Sequence, residues 1–290
     1  MTFDAVLFDI DNVLVDTRHS YLAAIQQTVE IYLNRPGVVS AKDVDQFKLL
    51  GGFNDDWDCC YGIITFLQTA IQGKPIRFGD HRCQRLYISE LGQTFTERPL
   101  GMEGLMKNLR ILYERVDTPS YKKVAEIFQK VYLGTKKYPG LIRKEKPIFP
   151  KSILEKMNRR GIRLGIVTGR NQFEAKYALK RFGILKFFEC LITIDEVRRA
   201  EKKTGKLLRK PDPWPILEAA RRISPRLRFL YVGDLPDDIF AAERAKKKIR
   251  IKSAAFPKFA RDPKTTLEEL KKAKPDFFLG KPQDLNKILS

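Results

Sequence analysis

Ala5-Val6-Leu7-Phe8-Asp9-Ile10-Asp11-Asn12-Val13-Leu14-Val15-Asp16 is a short apolar run that ends abruptly in carboxylates. Such a run reads as a buried parallel strand whose carboxyl end opens into a site. Asp9 and Asp11 stand two positions apart where strand gives way to loop, so both can face one pocket. Working outward, a second apolar run, Ile162 to Val167, follows a helix-like stretch at 151–160 and stops at Thr168-Gly169-Arg170. Leu191-Ile192-Thr193-Ile194 and Phe229-Leu230-Tyr231-Val232 read as further strands, the latter ending at Gly233-Asp234. Helical patterns at 171–182 and 213–222 separate them, and Phe277-Phe278 followed by 281–289 adds an edge strand and a closing helix. This alternation predicts an α/β fold, a doubly wound Rossmann-like parallel sheet, in which ligands bind at the carboxyl ends of the strands.

Between the first strand and this region the pattern changes. Amphipathic stretches at 18–34, 41–50, 55–72, 81–95 and 120–133, with few strand signals, predict an inserted, mostly α-helical cap domain. The expected organisation is a core from 1–16 and 149–290, with the cap at 17–148.

The chain has 290 residues and is 43% hydrophobic, enough for one large or two modest cores. No apolar stretch approaches the roughly 20 residues of a membrane span, and Met1-Thr2-Phe3-Asp4 lacks the basic start of a secretory signal. A cytoplasmic protein with no membrane partner is the expectation. Cys59, Cys60, Cys83 and Cys190 have no metal-ligand spacing and read as reduced structural residues. The net charge of +20 attracts anions. Its densest run, Arg244 to Lys252, reads as a solvated helix end leading into a strand rather than a nucleic-acid patch, because no nucleic-acid module accompanies it. With only His19 and His81 available, histidine-nucleophile and histidine-metal chemistry have little material. Serine-elbow and P-loop signatures are missing.

A second acidic cluster, Gly233-Asp234-Leu235-Pro236-Asp237-Asp238, falls at another strand end. Two unit charges about 4 Å apart interact by about 4 kcal/mol at an effective dielectric near 20, so these carboxylates need a cation beside Asp9 and Asp11. Oxygen donors with few carboxylates favour Mg²⁺.

Four motifs in order then resemble the haloacid dehalogenase superfamily, in its phosphatase branch with a helical cap inserted after the first strand, similar to phosphoglycolate phosphatases. They are Asp9-x-Asp11, Thr168, Lys210 before Pro211-Asp212-Pro213, and Gly233-Asp234 with Asp238. The resemblance implies Asp9 as nucleophile, Asp11 as acid and base, and Thr168 and Lys210 completing the catalytic set. It implies phosphate binding by Thr168, Lys210 and backbone N–H groups near Asn12 and Gly169. The implied metal site comprises Asp9, Asp11, Asp234 and Asp238, the last serving as a ligand or as support for Lys210.

Asp11 favours phosphate esters, because dehalogenases and phosphonate-cleaving members lack that second aspartate. The implied activity is a Mg²⁺-dependent phosphatase of a small phosphorylated substrate. A phosphomutase of the same fold, or a non-catalytic protein using its basic surface for nucleic acid, are the alternatives. Asp212 reads as a helix cap, Asp16 as the start of the next helix with a site role as its rival, and Arg170 as a solvent-facing loop residue with phosphate contact as its rival. The loop Gly51-Gly52-Phe53-Asn54, with Trp57, either helps choose substrate or is a plain capping turn.

Overall fold

The protein is described here from a computed structural model covering residues 3–50, 53, 55–72, 101–260 and 262–289. The chain divides into two compact units, Met1–Arg18 with Glu145–Ser290, and His19–Lys144.

The first unit is built on a six-stranded sheet. Its strands are β1 (Ala5–Phe8), β4 (Arg163–Val167), β5 (Cys190–Ile192), β6 (Arg228–Gly233), β7 (Arg250–Ala255) and β8 (Phe277–Phe278). They lie in the order β5-β4-β1-β6-β7-β8, and every pair is parallel. A separate antiparallel ribbon joins β2 (Val15–Asp16) to β3 (Lys146–Pro147). Helices α6 (Lys151–Arg159), α7 (Gln172–Arg181), α8 (Ile194–Thr204), α9 (Trp214–Ile223), α10 (Pro236–Ala245), α11 (Pro263–Ala273) and α12 (Leu285–Ile288) complete the unit.

The sheet is covered on both faces, which explains why its central strands are apolar throughout rather than alternating. Val6, Phe8, Leu164, Ile166, Leu230 and Val232 pack with Leu154 and Met157 of α6 and Ala175, Ala178 and Leu179 of α7. On the other face Ala5, Leu7, Phe229 and Tyr231 meet Ile216, Ala219 and Ile223 of α9 and Ala241 and Ala242 of α10. All four residues of β1 are completely buried. At about 1.5–3 kcal/mol for each fully buried large apolar side chain, β1 is an expensive place to introduce a polar group. Gly165 lets the layers approach, since a Cβ there would sit 2.7 Å from Leu7 Cδ2 and 2.9 Å from Ile223 Cδ1.

Two expectations shift. The strand expected through Ile194 ends at Ile192, because the Glu196 carboxylate accepts from the Thr193 N–H at 3.0 Å and starts α8 instead. Asp16 lies in β2 rather than at a helix start, where its carboxylate holds Arg18 by two bonds of 2.9 and 2.7 Å. The basic run is divided between the end of α10 and β7, and Lys246 and Lys252 pair with Asp276 at 3.1 and 3.8 Å.

The second unit is helical among its described residues. It contains α1 (Tyr21–Leu33), α2 (Ala41–Leu49), α3 (Asp56–Gln72), α4 (Gly101–Leu112) and α5 (Tyr121–Leu133). The sequence reading missed α4, whose first turn contains Gly101 and Gly104, residues of low helix propensity that dilute the signal. The expected stretch at 81–95 and Cys83 lie outside the described residues. Gly62 on α3 makes room for the Phe47–Phe53 ring pair, 4.6 Å between centroids, with both rings within 2.7 Å of where its Cβ would stand. No described helix is long and apolar enough to cross a membrane.

Candidate active site

The ends of β4, β1 and β6 are adjacent in the sheet, so Thr168, Asp9 and Asp234, each one residue beyond its strand, are gathered along one edge. Asp9 is buried. Its Oδ1 accepts from Lys210 Nζ at 2.8 Å, and its Oδ2 accepts from the Asp11 N–H at 2.9 Å. Lys210 Nζ also donates to Asp238 Oδ1 at 2.6 Å and to the Tyr231 hydroxyl at 3.2 Å.

Asp238 is fully engaged. Its Oδ1 also accepts from the Tyr231 hydroxyl at 2.9 Å, and its Oδ2 accepts from the N–H groups of Asp234 and Leu235 at 3.2 and 3.1 Å. Gly233 is required by this arrangement, because a Cβ there would fall 2.3 Å from Asp238 Cβ.

The loop after β1 turns on Asn12, which takes a left-handed φ of 54°, a conformation asparagine tolerates better than most residues. Asn12 Nδ2 donates to Asp234 Oδ2 at 3.3 Å, while its Oδ1 accepts from the Thr17 hydroxyl at 3.0 Å. Its own N–H is consumed by the Val15 carbonyl at 2.7 Å and does not face the pocket as a free donor. On the far side, Thr168 Oγ1 accepts from the Arg170 N–H at 3.2 Å, and the Thr168 N–H belongs to the Ile192 carbonyl. The Gly169 N–H has no acceptor among the described residues, and the space beside its Cα is open.

Arg170 overturns the solvent-facing expectation. Its side chain is 1% exposed, clamped between Asp11 and Glu145. The Asp212 carboxylate caps the start of α9 by accepting from the Trp214 N–H at 2.8 Å, as a helix cap would.

Burial dominates the electrostatics. Loss of water raises the Asp9 carboxyl to about 7; Lys210 opposes the rise, while Asp238 and Asp11 add to it. Burial also lifts Asp234 well above the carboxylate range, with Asp238 and Asp9 pushing the same way. Burial would depress the Lys210 ammonium, but Asp238 and Asp9 outweigh it and hold the group well above the usual lysine value. Asp234 is 2% exposed, and its carboxylate accepts one long amide hydrogen bond and no other among the described residues. Among those residues no three Asp, Glu, His or Cys side chains converge into a ready cage. The donor set suits a cation that takes one or two carboxylates and completes its shell with water and substrate.

A family model described as haloacid dehalogenase-like hydrolase matches residues 3–246. The chain belongs to that family. It is 32% identical over 141 residues to a candidate pyrophosphatase PpaX of Caldanaerobacter subterraneus subsp. tengcongensis, covering 48% of this chain and 56% of that one. The chain therefore spans about half the length of that curated relative. Pyrophosphatase PpaX of Anoxybacillus flavithermus is 28% identical over 182 residues, 62% of this chain and 75% of the relative. Phosphatase Tt82 from Thermococcus thioreducens shares the fold, with a TM-score of 0.63 and 24% identity over 86% of this chain and 91% of that one.

For this haloacid dehalogenase-like hydrolase, the sequence reading missed three contributors. Tyr231 was legible only as an apolar strand residue, although a tyrosine hydroxyl in a buried strand needs a partner. Glu145 and Thr17 carried no motif. In the second unit Phe53 is fully buried, and the Asp55 carboxylate accepts from the Trp57 N–H at 2.9 Å, the geometry of a capping turn. Gly51, Gly52 and Asn54 lie outside the described residues.

Proposed function

We propose that the protein is a Mg²⁺-dependent phosphatase that hydrolyses a small phosphate ester through an aspartyl-phosphate on Asp9. The observation carrying this reading is a buried carboxylate held on one oxygen by Lys210 and on the other by the Asp11 N–H, at 2.8 and 2.9 Å. Asp9 attacks phosphorus in line, dividing one difficult displacement into two easier ones. Lys210 offsets the repulsion between an anionic nucleophile and an anionic ester. The Thr168 hydroxyl and the Gly169 N–H are the donors available to equatorial phosphate oxygens. Asp11 gives its proton to the departing oxygen and then takes one from the water that cleaves the acyl phosphate.

Asp9 and Asp234, with the Asp11 carbonyl, would hold the metal. Asp238, with two hydrogen bonds on each oxygen against one on each oxygen of Asp9 among the described residues, supports Lys210 instead. When bound, Mg²⁺ supplies positive charge to the buried carboxylates and the phosphoryl oxygens.

The test is phosphate release from a panel of sugar, nucleotide and short-chain acid phosphates with and without Mg²⁺. Inorganic pyrophosphate belongs in the panel because of the names of the PpaX relatives. Metal-dependent release from at least one member is the expected result. Isomer without free phosphate would indicate a mutase, and no turnover with tight, salt-sensitive DNA or RNA binding would reverse the reading.

Mg²⁺ should also raise the melting temperature, and more at pH 8 than at pH 5.5. Between about pH 4 and 7 the metal-free folded state holds a proton at Asp9 that the unfolded chain has released, because burial raises that carboxyl to about 7, and burial raises Asp234 in the same direction. Metal-free stability therefore falls as pH rises through that window. Mg²⁺ must displace the Asp9 proton at pH 5.5 but meets an ionised Asp9 at pH 8. At a hundred times its dissociation constant the ion adds about 2.7 kcal/mol. Thermal melts showing an equal or larger shift at pH 5.5 would contradict this account.

A further inference from the structure

Arg170 lies in the loop after β4, and its guanidinium is shared by two carboxylates. Its Nε and Nη2 donate to Asp11 Oδ1 at 2.9 and 2.7 Å, while Nη1 and Nη2 donate to Glu145 Oε2 and Oε1 at 3.1 and 3.0 Å. The side chains of Arg170 and Glu145 are 1% and 0% exposed, whereas that of Asp11 is 30% exposed. Glu145 directly precedes β3, whose pairing with β2 fixes where this carboxylate stands.

The two Asp11 oxygens are thus unlike. Oδ1 is gripped by a forked donor anchored from behind, and Oδ2 accepts no hydrogen bond among the described residues. An aspartate side chain alone rotates about two bonds, and a proton donor works only when its oxygen points at the leaving atom. Resting on the phosphatase reading above, we infer that Arg170, braced by Glu145, is a positioning residue that pins one oxygen of Asp11 and so aims the other at the leaving group. A fork is needed for this, since a lysine would offer a point charge without two rigidly spaced N–H groups converging on Oδ1.

The test compares kcat/KM for an alkyl phosphate, whose alkoxide must be protonated as it leaves, with that for 4-nitrophenyl phosphate, whose phenolate leaves unaided. In Arg170→Gln the alkyl ester should lose about 30-fold or more, part of the roughly 10²–10⁴-fold that general acids supply, and the nitrophenyl ester less than about 3-fold. Arg170→Lys should show a smaller split. Because Arg170→Gln leaves Glu145 buried without its cation, the paired variant Arg170→Gln with Glu145→Gln is measured alongside and should show the same split. Folded variants that lose activity evenly across leaving groups, or lose none, would overturn the positioning role while leaving the phosphatase reading intact. Wild-type enzyme without Asp9-dependent turnover would take both down.

Discussion

Asp9→Asn should lower phosphate release by about 10⁴-fold or more while the protein still melts cooperatively. Asparagine has nearly the shape of aspartate but no nucleophilic oxygen anion. The Lys210 ammonium keeps Asp238 and the Tyr231 hydroxyl as partners, so the network does not collapse with the loss. Because burial disfavours the Asp9 charge, removing it relieves the metal-free state, and the melting temperature without Mg²⁺ should hold or rise. The Mg²⁺-induced shift should shrink in the same variant. Turnover retained in a folded Asp9→Asn protein would remove Asp9 from the nucleophile's role, whatever the metal does.

Lys210→Met should behave in the opposite way. It deletes the ammonium shared by Asp9 and Asp238 and leaves two buried carboxylates facing one another. Breaking a buried ion pair from one side costs about 3–5 kcal/mol, because the remaining charge has lost its compensation. Chemical denaturation should therefore show a large drop in midpoint, with activity lost. Adding Asp238→Asn to Lys210→Met should recover part of the stability and none of the turnover, since it removes one stranded charge without restoring the cation at Asp9. If Lys210→Met costs less than about 1 kcal/mol, within the range of exposed ion pairs, the ammonium is solvated rather than locked between the two aspartates.

Both predictions concern charges whose partners lie far apart in the chain, and here the sequence reading was uneven. Asp9, Thr168, Lys210 and Asp234 were legible because each follows an apolar run or sits in a recognisable motif. Arg170 was not. An arginine after Thr-Gly at a strand end looks like a loop residue until Glu145, brought in by the β2–β3 ribbon, stands behind it. Tyr231 hid for a related reason, since its ring suits a buried strand and only the packing of α10 brings Asp238 to its hydroxyl. The end of β5 was misjudged because Thr193 and Ile194 favour strands individually, and the Glu196 cap decided otherwise.

By itself the sequence determined the parallel sheet, its helical layers and the carboxylate-rich strand ends, because hydrophobic periodicity and abrupt polar stops are local properties of the chain. Tertiary structure alone decided which oxygen of each carboxylate is engaged, that Asp238 accepts from Lys210, and that Arg170 is buried between two acids. Those outcomes depend on where distant strands and loops converge once water is excluded, and no window of neighbouring residues encodes that distance.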